Sequence, residues 1–228
     1  MSPDFNSFPL IGDVAPEFRA STTNGPIHFP NDFAGKWIVF FSHPSDFTPV
    51  CTTEFVAFQH VIDSFNELNT QLIGLSVGAL SSHLAWFDAI KKMPDGVKIT
   101  FPLIDDINMN VAKLYGMVHP NASDTSTVRA VFIIDDAAVI RAILYYPSIL
   151  GRNIIEIQRM VMGMQTAAAF NVAMPADWMP GDDVLEYAPT NVTQMWQHNN
   201  DNPWFITYKE LKEDDIYRKI CKQNNYKK

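Results

Sequence analysis

The stretch Trp37-Ile-Val-Phe-Phe-Ser-His-Pro-Ser-Asp-Phe-Thr-Pro-Val-Cys51 joins two structural patterns. Its first six residues form an apolar run that ends at a serine, which is typical of a fully buried strand. Thr48 belongs to the residue types that favour the N-cap of a helix, and Pro49 suits the first helical position. The stretch therefore predicts a buried strand, a turn and a helix that carries Cys51 in its first turn.

This placement puts Cys51 at the positive end of a helix dipole, beside backbone N–H groups without a partner inside the helix. Such an environment favours the thiolate, which is the nucleophilic form of cysteine. A buried cysteine can equally serve as a small apolar residue, with Phe47, Pro49 and Val50 packed around it. Position alone leaves both interpretations open.

Further elements follow along the chain. Apolar runs predict three more strands, and apolar residues at three- and four-residue spacing predict three helices. The strands are 71–77, 128–134 and 139–146; the helical stripes cover 55–68, 84–90 and 154–170. Ser81 is expected to cap the second stripe, and a turn at 135–137 is expected to pair the last two strands as a hairpin. This order predicts an α/β fold with a mixed sheet flanked by helices, and it fits a thioredoxin-like architecture without singling it out.

The character of the sequence changes after Met174-Pro175. Residues 175–207 are rich in Pro, Trp, Asn and Asp and lack a long periodic stripe, whereas 208–220 predict a short charged helix. We therefore predict an α/β domain over 1–174, whose element order fits a thioredoxin-like architecture, and a C-terminal extension over 175–228. The extension is expected to pack on a neighbour or, as a dimerisation arm, on a partner subunit, or else to be a partly ordered tail.

Composition narrows the classes of function. The chain has 228 residues, 47% of them hydrophobic, and a formal net charge of −8. The acidic balance argues against nucleic acid and membrane surfaces as partners. The N-terminus lacks the charged and apolar regions of a signal peptide, so a cytoplasmic location is expected. Only two cysteines occur, and the spacing of His60, His83, His119 and His198 matches no metal motif, so no metal site is predicted.

Several segments resemble the peroxiredoxin family. The pattern Pro44-x-x-x-Thr48-x-x-Cys51 is similar to the active-site signature of that family, and Ser-His-Pro-Ser-Asp-Phe-Thr-Pro-Val-Cys-Thr-Thr-Glu54 resembles its one-cysteine, type-six branch. The resemblance extends to four other segments. They are Gly12-Asp-Val-Ala-Pro-Glu-Phe18, Phe101-Pro-Leu-Ile-Asp-Asp106, the strand around Arg129, and Tyr146-Pro-x-x-x-Gly151-Arg152-Asn153.

The resemblance implies a thiol-specific peroxidase that needs no cofactor and reduces hydrogen peroxide and organic hydroperoxides. The Cys51 thiolate is expected to attack a peroxide oxygen and become a sulfenic acid. Arg129 is expected to bind the peroxide and stabilise the charges of the thiolate and the leaving oxygen. The Thr48 hydroxyl is expected to contact the peroxide while capping the helix, and Pro44 to shield the sulfur from water.

Three further residues have expected supporting roles, each with an alternative. Glu54 would orient Arg129 or Arg152, or else lie on the helix surface. Arg152 would add a second charge to the site, or else be solvated at the start of a helix. His43 would lie near the sulfur and tune it, or else be a satisfied structural histidine.

The sulfenic acid must be reduced by an external thiol, either a small molecule or a thioredoxin-like protein, or must first form a disulfide. Cys221 is the only candidate resolving cysteine. Archaeal-type relatives resolve between subunits but usually carry clustered cysteines in this arm, so both a resolving role and an exposed tail thiol stay open. The resemblance also implies a homodimer, or a decamer of such dimers.

A cysteine at this position is also compatible with other functions. A cysteine hydrolase would pair Cys51 with His43 or His119 and need an oxyanion hole. A redox-sensing or chaperone-like scaffold of the same fold would keep Cys51 but sustain no turnover. The residues that follow Cys51 are Thr-Thr-Glu, so a thioredoxin-type disulfide reductase is not expected. Some members of the type-six branch carry a serine-containing lipase-like motif just before the strand at Trp37. Residues 32–36 are Asp-Phe-Ala-Gly-Lys and contain no serine, so no phospholipase activity is expected.

Overall fold

The computed structural model describes residues 8–197 and 203–221. Contacts divide the chain into two compact units, Met1–Ile154 and Ile155–Lys228. The boundary predicted at 174 and 175 is not tested by this division and stays a prediction. None of the helices in the described part of the chain is long and apolar enough to cross a membrane.

The first unit is built on one mixed sheet. Its strands are β1 (Phe18–Thr22), β2 (Gly25–Phe29), β3 (Trp37–Ser42), β4 (Thr70–Ser76), β5 (Leu103–Asp105), β6 (Arg129–Ile134) and β7 (Ile140–Tyr146). They lie in the order β2-β1-β5-β4-β3-β6-β7. The pairs β3–β4 and β4–β5 are parallel, and the other neighbours are antiparallel. The predicted mixed sheet and the β6–β7 hairpin are therefore confirmed.

In the described part of this unit, one short 3-10 helix (Asn31–Phe33) and four α-helices connect the strands. The α-helices are α1 (Pro49–His60), α2 (Ile62–Glu67), α3 (Leu80–Lys91) and α4 (Asn110–Leu114). The stripe expected over 55–68 is divided between α1 and α2, which meet at Val61. The prediction that Ser81 caps α3 is wrong, because Ala79 occupies the N-cap and Ser81 lies inside the helix.

The two faces of β3 pack differently. Successive side chains of a strand point to opposite faces, so Phe40 and Phe41 enter separate clusters. Phe40 meets Tyr115 edge-on, with 5.0 Å between ring centroids. Phe41 stacks on Phe58 of α1 at 4.4 Å and meets Phe55 at 5.6 Å. Both faces of this central strand are thus buried, and α1 is held against the face that carries Phe41.

The long helix α5 (Ile154–Phe170) belongs to the second unit except for its first residue, and its predicted extent is confirmed. Short elements follow it: β8 (Val184–Leu185), α6 (Val192–Gln197), β9 (Tyr208–Lys209) and α7 (Glu213–Ile220). β8 and β9 pair antiparallel. The charged helix expected over 208–220 is confirmed only from Glu213, because Tyr208 and Lys209 form a strand instead.

Candidate active site

The turn between β3 and α1 places Cys51 third in the helix. The first helical hydrogen bond runs from the Thr52 N–H to the Thr48 carbonyl at 3.0 Å. The Cys51 N–H therefore lies in the turn whose donors have no carbonyl within the helix. The Cys51 side chain is fully buried. The predicted strand, turn and helix are present, with the sulfur enclosed at a helix N-terminus.

Thr48 and Pro44 belong to the same turn. Thr48 occupies the N-cap with an extended backbone, but its side chain makes no capping hydrogen bond. Its hydroxyl donates instead to the Ser45 carbonyl at 2.8 Å. The expectation that this hydroxyl caps the helix is therefore wrong. Pro44 is half-buried.

Arg129 approaches Cys51 from the first position of β6, the antiparallel neighbour of β3. Its Nη1 lies 3.3 Å from the Cys51 sulfur. Its Nε and Nη2 donate to the Ser148 carbonyl at 3.1 and 2.7 Å, which fixes the plane of the guanidinium. Arg129 is almost fully buried, so its charge acts across little water.

Glu54 joins Arg129 to Arg152. It lies one helical turn after Cys51 and is 2% exposed, so it is not on the helix surface. One carboxylate oxygen accepts from Arg129 Nη1 at 2.6 Å and from Arg152 Nη2 at 2.7 Å. The other oxygen accepts from Arg152 Nε at 2.8 Å and from the Arg152 backbone at 2.9 Å.

Arg152 is held on every side and is not solvated. Its Nη1 donates to the carbonyls of Ser42 and Ala130 at 2.9 and 3.1 Å, and its guanidinium lies 5.0 Å from the Phe41 ring centroid. Burial lowers the pKa of Arg152, and the charge of Glu54 opposes that effect. Two guanidiniums share one carboxylate, so the buried cluster has one positive charge in excess beside the Cys51 sulfur.

The ring of His43 forms its hydrogen bond with Asp46 and not with a member of the arginine cluster. It contacts the rings of Phe55 and Trp86, and its Nε2 donates to Asp46 at 3.0 Å. Burial lowers the pKa of His43 despite the hydrogen bond to Asp46. Among the described residues, Cys51 forms no hydrogen bond with a histidine, which is the pair a cysteine hydrolase would need.

Sequence reasoning missed Asp46 and His83, which bind each other across two elements. His83 of α3 donates to Asp46 from Nδ1 at 2.7 Å. Burial raises the pKa of Asp46, but hydrogen bonds from His43, His83 and Ser82 outweigh it and hold the pKa far below its ordinary value. The only signal in the sequence was Asp46 inside the quoted turn.

Cys221 belongs to the second unit. It follows α7 directly, is half-buried, and its backbone N–H donates to the Tyr217 carbonyl at 3.0 Å. No disulfide joins it to Cys51. His119 contacts the Gly116 carbonyl and the Tyr145 ring. His198 lies outside the described residues.

Comparison with known families decides how this site is interpreted. Residues 11–143 match the AhpC/TSA family, and residues 163–198 match the C-terminal domain of 1-Cys peroxiredoxin. The chain belongs to the peroxiredoxin family. Its activity is accordingly that of a thiol-dependent peroxidase, and the one-cysteine branch suggested by its sequence is confirmed.

Individual peroxiredoxins agree with this assignment. A Methanosarcina mazei peroxiredoxin is 53% identical over 189 residues, which cover 81% of this chain and 86% of that protein. A peroxiredoxin of Aquifex aeolicus is 54% identical over 185 residues, covering 81% and 83%. The solved structure of the yeast mitochondrial 1-Cys peroxiredoxin superposes with a TM-score of 0.79 at 37% identity, covering 89% of this chain and 99% of that one. The thioredoxin-like peroxiredoxin fold is thereby confirmed.

Proposed function

We propose that Cys51 is the residue that this peroxidase oxidises. Its thiolate attacks one oxygen of the peroxide, the O–O bond breaks, and sulfur gains that oxygen with its hydrogen as a sulfenic acid. The second oxygen leaves as hydroxide or alkoxide and takes up a proton to give water or an alcohol. The substrates are hydrogen peroxide and small organic hydroperoxides.

One observation carries this proposal, namely the 3.3 Å contact between Arg129 Nη1 and the Cys51 sulfur. The two arginines and Glu54 leave one buried positive charge in excess. A thiolate on Cys51 would neutralise it, whereas a thiol would leave a buried charge uncompensated, which is costly. During the reaction the same guanidinium would stabilise charge on the leaving oxygen.

The turn supplies the remaining contacts. The Thr48 hydroxyl would turn from the Ser45 carbonyl toward the peroxide, and the Cys51 N–H would donate to it, because that N–H has no partner in the helix. Pro44 would shield the sulfur from water. Glu54 and Arg152 are positioning residues, since Glu54 binds both guanidiniums and Arg152 binds Ser42 of β3. We assign His43 to the support of the turn, because its one hydrogen-bonded ring nitrogen faces Asp46.

Reduction of the sulfenic acid would consume two thiols and release water. The yeast structure is described as showing thiol resolution through glutathione and thioredoxin systems, and we propose a small thiol or a thioredoxin-like protein as reductant here. Cys221 is the candidate for resolution within a homodimer, since it is half-buried at the end of α7. Decamer formation and the cytoplasmic location stay predictions.

The intact mass of the reduced protein after one equivalent of hydrogen peroxide tests these steps. Cys51→Ser and Cys221→Ser variants are treated in parallel, without added reductant. A covalent dimer that is absent in both variants would identify Cys221 as the resolving cysteine. A monomer that gains oxygen only when Cys51 is present would indicate reduction by an external thiol. Unchanged mass with peroxide left in solution would contradict the role of Cys51 and favour a scaffold.

A further inference from the structure

The turn that precedes Cys51 is tied to α3 through one buried carboxylate. Asp46 accepts from His43 Nε2 on one oxygen at 3.0 Å. On the other oxygen it accepts from Ser82 Oγ at 2.6 Å and from His83 Nδ1 at 2.7 Å. His43, Asp46 and His83 are all buried. Both oxygens are thus occupied, and they join the end of β3 to the first turns of α3.

The hydrogen bonds show which nitrogen of each ring donates to Asp46. An ionised carboxylate only accepts, so each ring nitrogen that faces Asp46 must carry the hydrogen. The opposite nitrogens, His43 Nδ1 and His83 Nε2, are buried without a hydrogen-bond partner in the described part of the chain. Each ring therefore makes its hydrogen bond to Asp46 through one nitrogen only, and that nitrogen is the donor.

The residue after Asp46 is strained. Phe47 has a φ of 55°, in the left-handed region that is unfavourable for a residue with a Cβ. Such a conformation persists only where the surrounding structure enforces it. Asp46 precedes Phe47, so the hydrogen bonds of its buried carboxylate hold the chain directly before the strained residue.

We propose that Asp46 and His83 are positioning residues for peroxide reduction, and that the link from His43 through Asp46 to α3 holds the turn that presents Pro44 and Thr48 to the substrate. This inference rests on the proposed role of Cys51. It assigns to α3, which contributes no residue to the arginine cluster, a part in the geometry of the reaction.

A glycine beside the cluster supports the same interpretation independently. A Cβ built on Gly78 would lie 2.8 Å from His83 Cε1 and 3.3 Å from an Asp46 oxygen. The loop from β4 to α3 therefore closes on this cluster so tightly that a methyl group would displace the ring. Gly78→Ala would perturb the link without removing any of its hydrogen-bonding groups.

A matched pair at His83 tests the proposal. Asparagine retains a donor at the δ position, whereas leucine has a similar volume and no donor. The rate of Cys51 oxidation by hydrogen peroxide is measured by stopped flow, and the rate of its alkylation by iodoacetamide is measured beside it. We expect His83→Leu to slow peroxide oxidation about 10-fold or more, as misplacement of a contact group does, while alkylation changes by less than about 2-fold. His83→Asn should recover most of the rate.

Two milder variants keep the test decisive if His83→Leu does not fold. Ser82→Ala removes one donor to Asp46, and Gly78→Ala presses on the His83 ring; both should slow peroxide oxidation with little change in alkylation. Unchanged peroxide rates in these variants would overturn the proposal. So would equal losses in His83→Leu and His83→Asn, or faster alkylation in step with the lost peroxide rate, since a loosened fold would give that result.

Failure of the underlying function would look different. If Cys51 were not the oxidised residue, the unsubstituted protein and Cys51→Ser would consume peroxide alike. If Cys51 is oxidised but α3 plays no part, the unsubstituted protein and the His83 variants would react alike while Cys51→Ser stays inactive. The two outcomes are therefore separate.

Discussion

At the scale of single residues, the guanidinium of Arg129 contacts both the reactive sulfur and the groups that hold it in place. It reaches the Cys51 sulfur and Glu54 through Nη1 and the Ser148 carbonyl through Nε and Nη2. Lysine keeps the charge but cannot hold this planar arrangement. We expect Arg129→Lys to slow Cys51 oxidation by about 100-fold, the effect of losing one preorganised donor. Stopped-flow oxidation by hydrogen peroxide measures it.

A control for that substitution lies on the neighbouring strand. Arg141 pairs with Asp135 at 2.6 Å, but its side chain is 50% exposed, and none of its side-chain hydrogen bonds to described residues reaches the arginine cluster. Arg141→Lys should leave the peroxide rate unchanged. Equal effects of the two substitutions would contradict the role proposed for Arg129.

The buried ring of His43 predicts how stability depends on pH. Burial lowers its pKa below the ordinary 6.5, so the unfolded chain binds this proton at higher pH than the folded protein does. The contribution of neutral His43 to the free energy of unfolding is therefore present above pH 6.5 and is lost as pH falls below that value. Between about pH 7.5 and about pH 5.5, the unsubstituted protein should lose more unfolding free energy than His43→Gln, which keeps a donor but does not titrate.

Urea unfolding at the two pH values measures this difference. Asp46 stays ionised throughout, because its pKa lies far below the ordinary value. Parallel losses in both proteins would show that another group titrates.

Residues adjacent in sequence were the predictable part of the site. Cys51, Thr48 and Pro44 lie within one turn, and the family resemblance added Arg129. Asp46 and His83 were missed as a pair because they are far apart in the sequence, and only the pairing of β3 with β4 brings α3 to the turn. Glu54 and Arg152 were anticipated separately, but the sharing of one carboxylate by two arginines follows from the fold.

At the scale of elements, two glycines predict opposite changes in stability. A Cβ at Gly74 of β4 would lie 3.1 Å from Leu103 and 3.4 Å from Phe41 and Phe55, so alanine there overpacks the contact between sheet and α1. We expect Gly74→Ala to destabilise by about 1–3 kcal/mol. A Cβ at Gly163 of α5 would meet Met174 and Trp178 at ordinary distances of 3.4 Å or more, so Gly163→Ala should stabilise by up to about 1 kcal/mol through helix propensity.

Denaturant unfolding of both variants at one protein concentration measures these changes. A loss of stability in both would mean that α5 has no room for the methyl group. Because Gly74 lies beneath Phe55 of α1, its substitution should also slow Cys51 oxidation, whereas Gly163→Ala should not.

The elements that sequence patterns predicted were those with long apolar periodicity. β3, β4, β6, β7 and α5 were anticipated because each buries enough apolar side chains to show a pattern. β5 and α4 span three and five residues, too few to display a period. The same holds for β8 and β9, with two residues each, and for α6, with six. The split between α1 and α2 was missed because the apolar stripe runs through Val61 without interruption.

At the scale of the whole molecule, sequence and structure describe the chain differently. The change in composition after Met174 predicted the start of an extension, whereas contacts divide the chain at Ile154, where α5 begins. Composition depends on which residues occur, whereas the division by contacts depends on which elements pack together. The helix α5 therefore has the apolar periodicity of the elements before it, although it packs against residues that follow it. The match to the C-terminal domain of 1-Cys peroxiredoxin, over residues 163–198, also crosses the boundary predicted at 174 and 175.

The net charge of the molecule predicts that salt affects the rate of sulfenic acid reduction but not the rate of Cys51 oxidation. The formal net charge is −8, hydrogen peroxide is neutral, and glutathione is anionic. Raising ionic strength from about 0.01 M to about 0.15 M shortens the Debye length from about 30 to about 8 Å, which screens repulsion between the protein and an anionic thiol. The rate of Cys51 oxidation should therefore not change, while reduction of the sulfenic acid by glutathione should become about 2-fold faster.

Reduction by 2-mercaptoethanol, an uncharged thiol, serves as the control, and its rate should not change with salt. A glutathione rate that falls with salt would instead mean that a local positive surface near the site attracts the reductant more strongly than the net charge repels it.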